Sequence, residues 1–217
     1  MSDPSIRTVL RESGMMSPTI AYVGTANGDD RGFFNRMAGN FREAGAYRVN
    51  HALIVPEEAD LRKAQDILKS ADIVFVSGGD VDRGMRVLEE KNMIDFLSEL
   101  YEGGVFFFGL SAGSIMLAKE WVRWKDPDDN SSAELFPCLG FAPVICDTHE
   151  EGGWLELQTA LMLEEDNTKG YGIVSGTAIR VFADDRVEAV GGAVHQFIRQ
   201  GERVDRISDI LPVSNVN

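Results

Sequence analysis

Ser111 has the setting in this chain that most favours chemistry. It lies in Gly109-Leu-Ser-Ala-Gly113, directly after the apolar run 105–108. That uninterrupted run predicts a buried parallel strand, and Ile115 and Leu117 mark the buried side of the helix expected next. Small residues let the turn hold the serine hydroxyl exposed at the strand's carboxyl end, near the free N–H groups that begin the helix. The pattern predicts a nucleophile elbow with a catalytic serine.

A serine hydroxyl is a weak nucleophile until a base takes its proton, and the chain offers three histidines. His51 lies within an apolar strand pattern, where a structural role is expected. His149 directly follows a predicted strand, and loops at strand ends are where α/β proteins present catalytic groups, so the sequence favours His149 as the base. The chain order of an α/β-hydrolase would instead select His195 with Asp184 or Asp185, which leaves an esterase as the alternative.

Two glycines follow another predicted strand, in the segment Ser77-Gly-Gly-Asp80 after residues 73–76. Such a loop could cradle a phosphate, but the lysine of a P-loop and the third glycine of a dinucleotide fingerprint are both missing. Because the carboxyl ends of neighbouring parallel strands meet at one edge of a sheet, the loop is expected beside the elbow. A glycine N–H could then face the same oxyanion.

The order of the predicted elements indicates an α/β fold. Apolar strand-like runs alternate with helical patterns in the first hundred residues, which predicts a mostly parallel, doubly wound sheet flanked by helices. Short β-like runs separated by turns after residue 171 predict antiparallel strands near the C-terminus. Residues 121–132 are polar and turn-rich and are expected to form a surface loop. At 217 residues, we expect one domain over residues 1–217.

Composition narrows the classes of partner. A formal net charge of −14 disfavours nucleic acid and anionic membranes as partners, because long-range repulsion opposes both.

The only two cysteines, Cys138 and Cys146, lie in apolar surroundings and are expected to be reduced thiols; no metal or organic cofactor is implied. Residues 1–16 lack the apolar run of an export signal, and no segment approaches the roughly 20 apolar residues of a membrane span, so we expect a cytoplasmic protein.

Together these residues resemble peptidase E, the family of aspartyl dipeptidases, and the related cyanophycinases. The catalytic domain of that family is similar to the class I glutamine amidotransferase fold but carries serine in the elbow. The resemblance extends from Thr19 to about Val194. It rests on four motifs: Gly78-Gly79-Asp80, Gly109-Leu-Ser-Ala-Gly113, Asp147-Thr-His149 and Gly172-Ile-Val-Ser-Gly-Thr-Ala-Ile179.

The resemblance implies a serine peptidase that hydrolyses short peptides as a dipeptidase or aminoacyl peptidase, without a cofactor and as a monomer or homodimer. It assigns Ser111 as the nucleophile, His149 as the base, and the N–H groups of Gly79 and Ala112 as the oxyanion hole. The candidate substrate-binding residues lie in the loops beside these groups and are Gly78, Asp80, Glu150 and Glu151.

The chain departs from the family pattern at the third member of the triad, usually a glutamate, where it has Ser175. A hydroxyl can orient an imidazole but cannot stabilise imidazolium as a carboxylate does; Asn for Asp in a trypsin-type triad costs about 10⁴ in kcat. Ser175 could complete a Ser-His-Ser triad, or a carboxylate from Asp147, Glu151 or Asp184 could replace it. A third possibility is a catalytically silent ligand-binding homologue. No arginine in residues 150–163 matches the one that meets the substrate's aspartate, which leaves strict preference for N-terminal aspartate in question.

Overall fold

The computed structural model of the chain describes residues 4–148 and 153–212. They form an α/β structure with a parallel sheet flanked by helices and with antiparallel strands toward the C-terminus, as the sequence predicted. The chain divides into two compact units, Met1–Leu117 and Ala118–Asn217, and each is described by itself. The expectation of one domain over residues 1–217 stays a prediction.

The first unit alternates strands and helices. Its elements, in chain order, are α1 (Pro4–Glu12), β1 (Thr19–Val23), a 3-10 turn (Thr25–Asn27), α2 (Arg31–Glu43), β2 (Arg48–Ala52), α3 (Leu61–Lys69), β3 (Ile73–Val76), α4 (Val81–Glu90), α5 (Ile94–Glu102), β4 (Phe106–Gly109) and α6 (Ala112–Leu117). Asp30, Asp60 and Asp80 cap the N-termini of α2, α3 and α4 by accepting a hydrogen bond from a backbone N–H of the first turn.

All four strands of this unit are parallel, in the order β2-β1-β3-β4. On one face, Phe75 packs against Tyr22 and against Phe41 of α2, in a buried cluster that includes residues of α1. Because side chains alternate across a strand, Val23 and Val74 lie on the opposite face, and both are fully buried. Both faces are therefore covered, and the three loops after β1, β3 and β4 leave the same edge of the sheet.

The second unit is richer in antiparallel strands. It contains β5 (Glu120–Trp124), a 3-10 turn (Asn130–Ser132), β6 (Ala133–Pro137), β7 (Ile145–Asp147), α7 (Leu155–Leu163), β8 (Lys169–Gly172), β9 (Ala178–Val181), β10 (Val187–Val190), β11 (Val194–Gln200) and β12 (Arg203–Ile210). One sheet has the order β12-β11-β8-β7, with only the β7–β8 pair parallel. Two antiparallel hairpins, β5-β6 and β9-β10, complete the unit.

Two segments differ from the sequence-based expectations. The predicted surface loop over 121–132 is wrong at its start, because β5 continues to Trp124 and pairs with β6, burying Trp121 and Val122. Strand β12, which pairs on one side only, was not predicted, because its apolar residues Val204, Ile207 and Ile210 recur at every third position and a strand pattern requires every second. In the part of the chain that the structure describes, the helices are all too short or too polar to cross a bilayer.

Candidate active site

The turn between β4 and α6 has the geometry expected of a strand-to-helix elbow. Ser111 has φ 53°, a left-handed conformation that side-chain-bearing residues adopt only rarely. Three hydrogen bonds fix the turn: the N–H of Leu110 donates to the Val76 carbonyl at 3.1 Å, that of Gly113 to Leu110 at 3.0 Å, and that of Ser114 to Ser111 at 2.8 Å. A half-buried serine is thus held in a strained backbone conformation at a strand end, a feature that clusters at functional sites.

The glycines on either side of the serine are required by close packing. A methyl group on Gly113 would lie 2.0 Å from the carbonyl oxygen of Val76, and one on Gly109 would lie 2.3 Å from the carbonyl oxygen of Gly113. Both distances are far shorter than van der Waals contact. The two glycines of the Gly-x-Ser-x-Gly pattern are therefore required because α6 packs tightly over the ends of β3 and β4.

The predicted glycine loop after β3 lies against the elbow. A methyl group on Gly78 would lie 3.1 Å from Ser111 Cβ and 3.5 Å from Ser111 Oγ. Gly79 has φ 148°, and a methyl group there would lie 2.2 Å from the carbonyl oxygen of Ala26. The structure therefore brings Gly78 against Ser111, and at the next residue the loop passes so close to Ala26 that only glycine fits.

Two backbone donors at this corner are available to a ligand. Within residues 4–148 and 153–212, neither the N–H of Gly79 nor that of Ala112 donates a hydrogen bond to a protein acceptor. The next N–H in the loop, that of Asp80, is occupied, because it donates to the Ala26 carbonyl at 3.0 Å. The Asp80 carboxylate is also occupied as the cap of α4, accepting from the Arg83 N–H at 2.8 Å. Unused N–H groups beside a serine hydroxyl could stabilise an oxyanion.

Behind the glycine loop lies a polar group that the sequence analysis did not identify. The side-chain amide of Asn27 donates to the hydroxyl of Tyr22 and to that of Ser77, both at 2.9 Å. Burial raises the pKa of the Tyr22 phenol, against the opposing effect of the Asn27 hydrogen bond. Tyr22 and Ser77 are both fully buried. The only sequence signal was the run of small and polar residues after β1, a usual position for a ligand loop.

His51 has the structural role expected from its sequence position. Its Nε2 lies 3.2 Å from Asp29 Oδ1, and its ring stacks on Phe34. The backbone N–H groups of Ile54 and Val55 donate to the other Asp29 oxygen at 2.7 and 2.8 Å. Burial would raise the pKa of this carboxyl, but the hydrogen bonds from His51 and the two N–H groups outweigh burial and hold the pKa below its ordinary value. The pair fastens the loop after β1 to the end of β2.

In the second unit, β7 ends at Asp147, which is 1% exposed and accepts a hydrogen bond from the Thr148 N–H at 2.7 Å. His149, Glu150 and Glu151, which follow at once, lie outside the described residues, so their predicted roles stay predictions. Ser175 is exposed in the turn between β8 and β9, where the Thr177 N–H donates to the Val174 carbonyl at 3.1 Å. Among residues 153–212 and the rest of the described chain, no hydrogen-bond partner of the Ser175 hydroxyl is present.

The alternative base, His195, has partners other than those the sequence suggested. Its Nδ1 lies 3.2 Å from Asp209 of β12 and 2.6 Å from the Arg206 guanidinium. Asp184 and Asp185 lie in the turn between β9 and β10, and Asp184 accepts from a backbone N–H of the same turn. In the geometry described, the imidazole of His195 therefore contacts Arg206 and Asp209 between two antiparallel strands.

The two thiols are unsuited to nucleophilic chemistry. Cys146 is buried in β7 and Cys138 is half-buried, and neither forms a disulfide. Burial raises the pKa of Cys146 to about 12 and that of Cys138 further still, so both thiols are protonated near neutral pH. Across the described residues, no cluster of three or more His, Cys, Asp or Glu side chains could hold a metal ion.

The sequence is similar to those of known peptidases. The model of peptidase family S51 matches residues 3–190. A curated relative, the uncharacterized peptidase YgaJ of Bacillus subtilis, is 26% identical over 144 residues, which cover 66% of this chain and 60% of that protein. Peptidase E of Haemophilus influenzae is 28% identical over 81 residues, 35% of this chain and 37% of that protein. The chain thus spans less than two thirds of the length of either relative.

Two solved structures share the fold. A peptidase from an acI-B1 Actinobacterium superposes with a TM-score of 0.71 at 19% identity, covering 96% of this chain and 91% of that one. A Listeria monocytogenes protein assigned as a peptidase E superposes with a TM-score of 0.56 at 14% identity, covering 95% and 96%. At these identities the likeness concerns the fold alone.

Proposed function

This chain belongs to peptidase family S51, and we propose that it is a serine-type peptidase of the peptidase E kind, acting on short peptides. The observation that carries the proposal is the elbow: Ser111 at φ 53°, with Gly78 packed against it and two unused backbone N–H groups alongside. This arrangement supplies a nucleophile position and an oxyanion site within one rigid corner of the sheet. The two N–H groups would polarise a peptide carbonyl bound there, and the Ser111 hydroxyl would attack its carbon atom.

The proposed reaction proceeds through an acyl-enzyme. Ser111 Oγ bonds to the scissile carbonyl carbon while His149 takes the hydroxyl proton, and the N–H groups of Gly79 and Ala112 hold the oxyanion. The C–N bond then breaks as His149 gives its proton to the leaving amine. Water, deprotonated by the same histidine, attacks the ester carbonyl, and the serine leaves with the proton returned to its oxygen. Strand β7 ends at Asp147, two residues before the proposed base in the sequence.

The third triad member is proposed to be Ser175, whose hydroxyl is exposed and makes no hydrogen bond within the described chain. Asp147 is the stronger rival carboxylate, because it is buried and lies two residues before His149 in the sequence. Asp184 is bonded within its own turn, which makes it a weaker rival. The peptide substrate is proposed to contact the two loops that carry Gly78, Asp80, Glu150 and Glu151. The enzyme is proposed to act in the cytoplasm as a monomer or homodimer.

Serine replacement tests the proposal. A panel of aminoacyl 4-nitroanilides and dipeptides first identifies a substrate, and Ser111→Ala is then compared with Ser114→Ala, three residues further along the chain in the first turn of α6. Loss of a triad nucleophile lowers kcat by about 10⁴- to 10⁶-fold. We expect that loss for Ser111→Ala and near wild-type turnover for Ser114→Ala. Wild-type rates in Ser111→Ala would refute the proposal, and a wild type inert to the whole panel would favour the silent homologue.

The third member is tested separately. If Ser175 orients the imidazole, Ser175→Ala lowers kcat and leaves KM nearly unchanged, because the hydroxyl does not touch the substrate. Asp184→Ala serves as the matched control and should behave as wild type. A fall in kcat for Asp147→Asn alone would move the role to that carboxylate.

A further inference from the structure

Asn27 spans the space between β1 and the glycine loop, and every polar group of its side chain is used. One amide N–H donates to Tyr22 Oη and the other to Ser77 Oγ, both at 2.9 Å. The amide oxygen accepts from the Asp30 N–H at 3.3 Å. This last contact fixes which end of the amide faces the two hydroxyls. Ser77 Oγ is therefore an acceptor toward Asn27.

A hydroxyl carries one proton, so the bond from Asn27 decides where the proton of Ser77 goes. Ser77 Oγ donates to the carbonyl oxygen of Gly78 at 3.3 Å. The side chain is fully buried, so water does not compete for either position. The Tyr22 hydroxyl also lies beside Ser77 Oγ, but its oxygen already accepts from Asn27, which leaves the Gly78 carbonyl as the acceptor for the Ser77 proton.

That carbonyl belongs to the peptide unit between Gly78 and Gly79. A trans peptide is planar, with its C=O and N–H pointing in opposite directions, and the described chain contains no cis bond. Holding the Gly78 carbonyl toward Ser77 therefore turns the Gly79 N–H away from Ser77. Glycine on both sides makes this peptide unit easy to rotate, and rotation would replace an N–H donor by a carbonyl oxygen. The following peptide unit is held separately, because the Asp80 N–H donates to the Ala26 carbonyl. The end of β3 before the loop is held by the Ser77 N–H, which donates to the Val23 carbonyl.

We propose that Asn27 is a positioning residue for the oxyanion hole: acting through Ser77, it holds the Gly78–Gly79 peptide with the Gly79 N–H facing the substrate's carbonyl oxygen. The inference rests on the proposed serine peptidase activity but goes beyond it, because Asn27 touches neither the nucleophile nor a substrate. Asparagine suits this role because it supplies two donors and an acceptor at once. An aspartate would accept from both hydroxyls and draw the Ser77 proton away from Gly78.

Phosphonylation by an alkyl fluorophosphonate, with loss of fluoride, measures the oxyanion hole directly, because the phosphoryl oxygen of the reagent takes the position of the oxyanion. The variants are Asn27→Asp and Ser77→Ala, with Asn35→Asp on the exposed face of α2 as a charge-matched control. Losing one oxyanion donor costs about 10²- to 10³-fold, so a misdirected donor should slow phosphonylation about 10- to 100-fold. The same fall is expected in kcat, with KM and the midpoint of the pH–rate profile unchanged. Asn35→Asp should react as wild type.

A double-mutant cycle separates this route from a charge or folding effect. Once Ser77→Ala has removed the hydroxyl, adding Asn27→Asp should change the rate less than about threefold, because the connection is already broken. An undiminished effect of Asn27→Asp in the Ser77→Ala background would overturn the inference, as would single variants that react like Asn35→Asp. A wild type that the reagent does not phosphonylate would refute the proposed function, and the inference with it. Circular dichroism confirms that each variant is folded before its rate is used.

Discussion

Replacing Gly79 with alanine should destabilise the protein and impair catalysis together. At φ 148° the backbone is in a region that side-chain-bearing residues rarely adopt, and forcing alanine into it costs about 1–3 kcal/mol. The added methyl would also lie 2.2 Å from the Ala26 carbonyl oxygen and 2.9 Å from the backbone nitrogen of Asn27. Overpacking against rigid atoms costs about 1–3 kcal/mol more. We expect the free energy of unfolding to fall by about 2–6 kcal/mol, a large part of the roughly 5–15 kcal/mol of a typical domain.

Urea unfolding followed by far-UV circular dichroism measures this loss, and turnover of a reporter peptide measures the accompanying effect on kcat. Gly39→Ala provides the matched control, because Gly39 lies inside α2 with no atom within 4 Å of the added methyl. That substitution should stabilise the protein by about 0.5–1 kcal/mol, since alanine favours a helix interior. If Gly79→Ala unfolds at the same urea concentration as the wild type, the result would contradict the close packing of the glycine loop against the Thr25–Asn27 turn.

Two further predictions concern titratable groups. Because the folded-state pKa of Asp29 is lowered, its contribution to stability is present above the ordinary carboxyl pKa of about 3.9 and is lost as pH falls through the folded-state value. The difference in unfolding free energy between wild type and Asp29→Asn should therefore be largest near pH 6 and shrink below pH 4; a constant difference would show that the carboxylate gains nothing from its partners. Cys138 and Cys146 should resist Ellman's reagent at pH 8 in the folded protein and react in urea, because burial raises the pKa of both thiols. Rapid reaction of the folded protein would contradict that burial.

The parts of the structure that the sequence predicted well are those with strong local patterns. The run 105–108 and its glycine turn predicted β4 (Phe106–Gly109) and the elbow, because an uninterrupted apolar segment fits a buried strand. The alternation of apolar runs with helical patterns in the first hundred residues also predicted the parallel sheet of the first unit, because strands joined by helices run in the same direction. The approach of the glycine loop to the elbow also followed from sequence, because a parallel sheet brings strand ends to one edge.

Features set by tertiary contacts were not predictable. Asn27 has no distinctive neighbours along the chain, and its role depends on Ser77, fifty residues away. Strand β12 lacks the two-residue apolar period of a strand, since its apolar residues lie three positions apart; pairing with β11 decides its conformation. His195 lies in a predicted strand, but its partners Asp209 and Arg206 follow from the register of that same pairing.

Trapping the acyl-enzyme tests the central claim most directly. The protein is mixed with an aminoacyl 4-nitrophenyl ester, quenched in acid within milliseconds, digested, and mapped by tandem mass spectrometry. We predict one acyl group per chain, attached to Ser111 and absent from Ser111→Ala, with acylation slowed by orders of magnitude in His149→Ala. An acyl group on another residue, or turnover of the ester with no covalent species at Ser111, would contradict the account.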